Sequence, residues 1–319
     1  MRGGRLIGQG SYGCVFSPGF RCSTQGSSRD TLLTRKEKTV SKIQVYNHTA
    51  NNEIKIGKKL RNIPNASEYF QVLQSVCPVS VEQLKDEELD TCELPSFTKS
   101  KLMMLTFPFI PGEHPIQWLR KKNEPLVHLD TLMKNLCKGL EILAEHSIVH
   151  HDLKNDNIIV KASNKPILLD FGMAVDISSP KYYDSFFYAP EYETIAPDAQ
   201  FMNEPVTDEK IEKVIYYTVR PLSLFLEKEF LEKYRSLLKS SLTPLKGLAD
   251  EEKRTRIKKN WDTWDVYSMA YFLIECLLLL RSEGHVEENK HYNALLEWAL
   301  QGIHPVRRVN AKEWISLKK

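Results

Sequence analysis

His150-His151-Asp152-Leu153-Lys154-Asn155-Asp156-Asn157 runs directly into the apolar triplet Ile158-Ile159-Val160. Two acids, two amides and a lysine crowd into six positions, and β-type residues follow at once. Asp and Asn are ordinary turn formers, so the plain reading is a polar turn ahead of a strand. What lies on either side argues for more. Downstream comes Leu168-Leu169-Asp170-Phe171-Gly172, and then Ala189-Pro190-Glu191. Upstream, Gly8-Gln9-Gly10-Ser11-Tyr12-Gly13-Cys14-Val15 follows the short strand-like run Arg5 to Ile7. Glycines let backbone amides approach phosphate oxygens closely. A dinucleotide fold uses similar letters but continues into a helix. Here Cys14-Val15-Phe16-Ser17-Pro18 is β-like and then broken by proline, so the expected unit is strand, glycine turn, strand.

The order and spacing of these strings resemble the eukaryotic-type protein kinase superfamily over nearly the whole chain. The resemblance implies an α+β, bilobal protein-kinase-like fold, with a β-rich N-lobe at 1–107, a hinge at 108–112 and a mainly helical C-lobe at 113–319. It implies ATP and Mg²⁺ as cofactors and a protein substrate. Asp152 matches the catalytic base, Asn157 and Asp170 the two magnesium ligands, and Lys154 the lysine that steadies the transferring phosphate. Lysine at that place is typical of the serine/threonine type. The nucleotide would sit against Ile7, Gly8, Gln9, Gly10, Ser11, Tyr12, Gly13 and Val15. Lys42 matches the strand lysine on the α- and β-phosphates, with Glu53 as its helix partner. Lys42 lies inside the apolar pattern Val40-Ser41-Lys42-Ile43, whereas the alternatives Lys36 and Lys38 sit among charged residues. Phe107 matches the gatekeeper, and Pro108 and Ile110 the hinge groups for adenine. Proline suits the first position because only its carbonyl is needed. Asp265 matches a buried acid supporting the catalytic loop. Arg308 matches the partner of the Ala-Pro-Glu glutamate, here Glu191.

The chain also departs from that pattern. His151 replaces an arginine that normally grips an activation-segment phosphate, and a histidine is mostly neutral at pH 7. The stretch from Asp170 to Glu191 is short, and the usual threonine before Ala-Pro-Glu is missing. Activity is therefore expected without phosphorylation of this segment, with Tyr182, Tyr183, Phe186, Phe187 and Tyr188 pinning it by packing. Residues 192–260 read as an insertion holding its own helices. The glycine loop with its trailing Phe16-Ser17-Pro18 is similar to divergent protein kinases of large DNA viruses. Two other readings stand beside the leading one: a pseudokinase scaffold and a small-molecule kinase.

Composition is that of an ordinary folded globular protein. The 319 residues include 42% apolar and 27% charged, with net charge +3. That charge gives no ground for a dedicated nucleic-acid site. The apolar run Met269 to Leu280, interrupted by Glu275, is short for a bilayer span and is expected as a buried helix. No membrane anchor is expected. Six cysteines, at 14, 22, 77, 92, 137 and 276, form no C-x-x-C pair. Their spacing does not suggest a disulfide framework, so an intracellular, reducing setting is expected, and for a viral kinase the host cytoplasm or the virion. Strands are expected at Arg5–Ile7, Cys14–Phe16, Val40–Val45 and Met103–Phe107. Helices are expected near Asn51–Leu60, Leu129–His146, Leu222–Leu238 and Trp264–Leu280.

Overall fold

The structure is a computed structural model that describes residues 5–10, 13–20, 38–79, 92, 101–224 and 226–318. The chain forms two compact units. The first takes the chain up to Pro111 together with Ile167–Gly172. The second takes Gly112–Pro166 and the chain from Met173 onward.

The first unit is built on a five-stranded antiparallel sheet. Its strands are β1 (Arg5–Gly10), β2 (Gly13–Ser17), β3 (Thr39–Val45), β4 (Ser75–Val79) and β5 (Leu102–Pro108), in the order β1-β2-β3-β5-β4. Successive side chains point to opposite faces of a strand. One face accordingly gathers Cys14, Phe16, Ile43, Cys77, Leu102 and Met104 into a core. The other gathers Val40, Leu105 and Phe107 with Ile54 of helix α1 (His48–Arg61). Asn47 caps α1 by accepting from the Ala50 amide at 2.9 Å. Lys58, Lys59 and Arg61 close its last turn, where cations suit the helix dipole. Gly57 is required by packing, since a Cβ there would lie 2.8 Å from the Leu73 side chain. Strand β4 was not expected from the sequence. It lies at the sheet edge, where Pro78 is tolerated.

The cysteine expectation is corrected. Cys14 and Cys92 form a disulfide across 78 residues, and Cys77 is disulfide-bonded as well. Cys137 and Cys276 are free and buried, while Cys22 lies outside the described residues. Sequence spacing carries no information on which cysteines come within bonding distance; Cys14 and Cys92 have Cα atoms 6.1 Å apart.

In the second unit the α-helices among the described residues are α2 (Pro115–Leu119), α3 (Pro125–Glu145), α4 (Asp208–Leu222), α5 (Lys228–Leu242), α6 (Asp250–Lys258), α7 (Trp264–Ser282), α8 (Lys290–Gly302) and α9 (Ala311–Leu317). Short strands β6 (Gly112–Glu113) and β8 (Ile158–Lys161) pair antiparallel, as do β7 (Ile148–Val149) and β9 (Val175–Asp176). Gly112 is needed where β6 meets β8, because a Cβ would sit 2.4 Å from the Val160 carbonyl. Helix α3 buries Leu129, Leu132, Met133, Leu136, Leu140 and Leu143, the stripe read from its period. Helix α7 is apolar over most of its surface and is buried accordingly, with Glu275 exposed. Its stretch is long and apolar enough to cross a membrane, but 89% of the apolar window is buried inside the fold.

The helix expected over Leu222–Leu238 starts later and ends later, as α5 from Lys228 to Leu242, while Leu222 is the last residue of α4. Pro221 in the last turn of α4 removes a backbone donor, and Ser223 Oγ caps the Arg220 carbonyl at 2.6 Å. Residues 192–260 contain the helices α4, α5 and α6.

Candidate functional site

The first unit presents one cation among two carboxylates. Lys42 alternates out of β3 on the same face as Val40 and Gln44. It pairs in register with Val15 on one side and Leu105 on the other. Its Nζ donates to both Glu53 oxygens at 3.0 Å and to Asp170 Oδ1 at 2.8 Å. Gln44 Nε2 donates to Glu53 Oε2 at 2.9 Å and fixes the carboxylate from a second side. Burial alone pushes Lys42 down, but the Glu53 and Asp170 carboxylates outweigh it and hold the ammonium above its ordinary range. Burial pushes the Glu53 carboxyl up against the pull of Lys42, as expected where two acids share one base. Lys42 is thus the lysine buried in an ion cluster, whereas Lys38 is exposed. Lys36 lies outside the described residues.

Asp170 reaches this cluster because its stretch of chain is stitched to the first unit. The Leu168 amide donates to Tyr69 O at 2.8 Å, and the Gln71 amide to Leu168 O at 2.9 Å. Phe171 packs edge-on against Phe70, with centroids 5.8 Å apart. Asp170 takes a left-handed backbone, φ +53°, uncommon for a residue with a side chain and typical of functional positions.

The glycine stretch is a β-hairpin, as expected. β1 pairs with β2 through Gly8↔Val15, Gln9↔Cys14 and Gly10↔Gly13. At Gly13 a Cβ would lie 2.6 Å from the Ile43 carbonyl, so no other residue fits. Ile7 is exposed and Val15 half-buried. Ser11 and Tyr12 lie outside the described residues. At the expected hinge Phe107 is buried and Ile110 half-buried. The Pro108 carbonyl accepts from Gln71 Nε2 at 2.9 Å. One carbonyl has two lone pairs, so that contact leaves room for a second donor.

The second unit organises the string His150 to Asn157. Asp152 and Asn157 are both 7% exposed. Lys154 Nζ donates to the two Asp152 oxygens at 3.0 and 2.9 Å. Asn157 Nδ2 donates to Asp152 O and to Asp152 Oδ2, each at 2.8 Å. Nitrogen faces Asp152, which leaves the amide oxygen as the atom able to bind a hard cation. Asp265, in the first turn of α7, accepts from the His150 amide at 2.7 Å and the His151 amide at 3.0 Å. It supports the loop as the resemblance implied.

The Arg308 pairing is corrected. Its Nη2 donates to Asp198 Oδ1 at 2.7 Å, not to Glu191, which is exposed. Asn260 Nδ2 holds the other Asp198 oxygen at 3.0 Å. The sequence carries two similar strings, Ala189-Pro190-Glu191 and Ala196-Pro197-Asp198, and the second receives the arginine. The first string is held by the buried Gln200, whose side chain bonds the Ala189 amide at 2.9 Å and carbonyl at 3.0 Å. The stretch closed by the Arg308 ion pair therefore ends at Asp198 and is not short. Asp198→Asn is expected to destabilise the second unit by about 3 kcal/mol, because it strands a buried guanidinium. Glu191→Gln should change stability by under about 0.5 kcal/mol. Denaturant unfolding of both variants checks the order.

His151 is 4% exposed and has φ +65°. Its ring packs edge-on against Phe186 at 5.0 Å and Trp264 at 6.2 Å. Burial lowers its pKa to about 4, with His150 adding to the fall and Asp198 opposing it. The ring is neutral near pH 7, as expected. Below pH 6.5 the unfolded chain takes up a proton that the folded one refuses, so stability falls as pH drops towards 4. That loss is worth about 3 kcal/mol. Wild type is expected to lose this much more than His151→Asn between pH 7 and pH 4 in denaturant titrations. Parallel curves would mean that the ring is solvated.

Sequence reasoning missed Gln44, Asp198 and Gln200. Gln44 was findable, two residues from Lys42 on the same strand face. The other two depend on contacts that no local pattern announces.

A family model for the protein kinase domain matches residues 1–210. A 115-residue stretch is 29% identical to the serine/threonine-protein kinase US3 homolog of varicella-zoster virus (strain Dumas), covering 35% of this chain and 27% of that protein. A 191-residue stretch is 25% identical to the probable serine/threonine-protein kinase FPV226 of fowlpox virus (strain NVSL), covering 56% of each. Similarity to myosin light chain kinase 3 of Rattus norvegicus is 22% over 207 residues, 61% of this chain and 25% of that one. The chain thus spans between about a quarter and about half the length of these relatives.

Proposed function

Because the chain belongs to the protein kinase domain family, we propose that it is an ATP- and Mg²⁺-dependent serine/threonine protein kinase that transfers the γ-phosphoryl group of ATP to a protein hydroxyl. The observation that carries this reading is the Lys42–Glu53–Asp170 cluster, a charged lysine oriented by two acids, one of which is itself held by the Gln44 amide.

In this reading Lys42 binds the α- and β-phosphates, and Glu53 with Gln44 keeps its ammonium aimed. The amides of the Gly8–Gly13 hairpin meet phosphate oxygens. Phe107, Pro108 and Ile110 receive adenine. Asp152 accepts the proton of the substrate hydroxyl as that oxygen bonds to the γ-phosphorus and the bond to the β-phosphate oxygen breaks. Lys154, already on the Asp152 carboxylate, offsets charge on the phosphoryl group. The Asp170 carboxylate and the Asn157 amide oxygen are hard donors of the kind Mg²⁺ prefers, and they would hold it. Magnesium supplies neutralisation of phosphate charge when bound.

The test is transfer from radiolabelled ATP to generic protein substrates, followed by phosphoamino-acid analysis. Label on serine or threonine supports the proposal. Nucleotide binding with no transfer to any substrate would instead identify a pseudokinase. Label confined to a small molecule would identify a small-molecule kinase.

A further inference from the structure

The stretch from Met173 to Ala189 ends in a dense aromatic run, and helix α6 lies outside the part of the chain that the family model matches. The two are joined by cations. Lys258 sits 4.3 Å from the Tyr182 ring centre and donates to the Ile177 carbonyl at 3.0 Å. The Arg254 guanidinium lies 4.2 Å from the Tyr183 ring centre. Its Nη2 donates to Asn203 Oδ1 at 3.1 Å, and its Nε to the Met202 carbonyl at 3.3 Å. Asn203 Nδ2 then donates to the carbonyls of Tyr183 at 2.6 Å and Phe186 at 3.0 Å. Phe186 is buried against His151 and Trp264. A continuous set of contacts therefore runs from α6 through the segment to the residue preceding Asp152.

We infer that Arg254 and Lys258 are positioning residues that hold this segment in its working shape, doing from within the chain what a phosphate gripped by arginine does elsewhere. This rests on the kinase reading above. The charges in the usual switch are reversed here. Instead of an added anion meeting a fixed cation, two fixed cations lie on aromatic faces, which attract them electrostatically. The place beside Asp152 is filled by a neutral ring that packs, so no anion is needed there. What Tyr182 and Tyr183 contribute is the ring face and not the hydroxyl.

The experiment replaces both cations by apolar chains of similar length, Arg254→Met with Lys258→Met. Turnover is expected to fall by at least about tenfold with ATP affinity unchanged, and amide exchange over 177–186 should accelerate. Tyr182→Phe with Tyr183→Phe should keep both turnover and slow exchange, because the faces remain. Tyr182→Leu with Tyr183→Leu should behave like the methionine pair and attacks the same contacts from the other side, should that pair not fold. Wild-type exchange and turnover in the methionine pair would overturn the inference. So would a phenylalanine pair as impaired as the methionine pair, since that assigns the role to the hydroxyl or to a phosphate on it. The exchange measurement needs no substrate. A chain without kinase activity but with accelerated exchange in the methionine pair would sink the kinase reading and leave the clamp standing.

Discussion

Asp152→Asn is expected to reduce turnover at least about a hundredfold, the scale of a lost positioned base, while nucleotide binding stays nearly intact. The substitution keeps the shape and removes the proton acceptor. It also leaves Lys154 Nζ beside an amide where it now faces two carboxylate oxygens. Asp170→Ala goes further and should abolish transfer. It removes a hard oxygen donor and one of the two acids around Lys42. Steady-state rates with radiolabelled ATP, alongside equilibrium nucleotide binding, separate the effects. Wild-type turnover of Asp152→Asn on any protein substrate would overturn the catalytic assignment of this loop.

Lys42→Met is the second large effect, and it acts on stability as well as activity. Glu53 is 3% exposed, and Lys42 is the cation bonded to both of its oxygens. Removing one partner of a buried pair leaves an uncompensated charge and costs about 3–5 kcal/mol. The upward push of burial on Glu53 lets it take a proton and recover part of that loss. Lys42→Met with Glu53→Gln should therefore regain stability without regaining ATP use. Lys38→Met should alter neither, because Lys38 is exposed. Unfolding midpoints and transfer rates of the three variants decide this. A dead Lys38→Met with an active Lys42→Met would move the role to the neighbouring lysine.

Several parts of this site were legible before any coordinates. The glycine hairpin followed from a proline-broken β run after the glycines. Lys42 followed from the strand pattern, and Glu53 from the helix after it. Helix α3 followed from its 3.6-residue period. Each of these depends on neighbours within a few residues, where backbone geometry repeats and side-chain faces can be counted.

What the sequence by itself determined is the set of local elements and the chemical inventory they carry: hairpin, lysine strand, acidic helix partner, catalytic-loop string and buried helix. Tertiary structure alone decided which of two equivalent strings is used. Ala-Pro-Glu and Ala-Pro-Asp differ by one methylene, and only Asp198 lies where Arg308 and Asn260 converge. It decided that Cys14 meets Cys92, that Asp170 joins the first unit, and that α6 reaches Tyr182 and Tyr183. The physical reason is common to all four. A buried charge, a thiol or a cation over a ring gains free energy from one partner at short range, and that partner is chosen by packing between segments far apart in the chain. Local periodicity carries no record of such a choice.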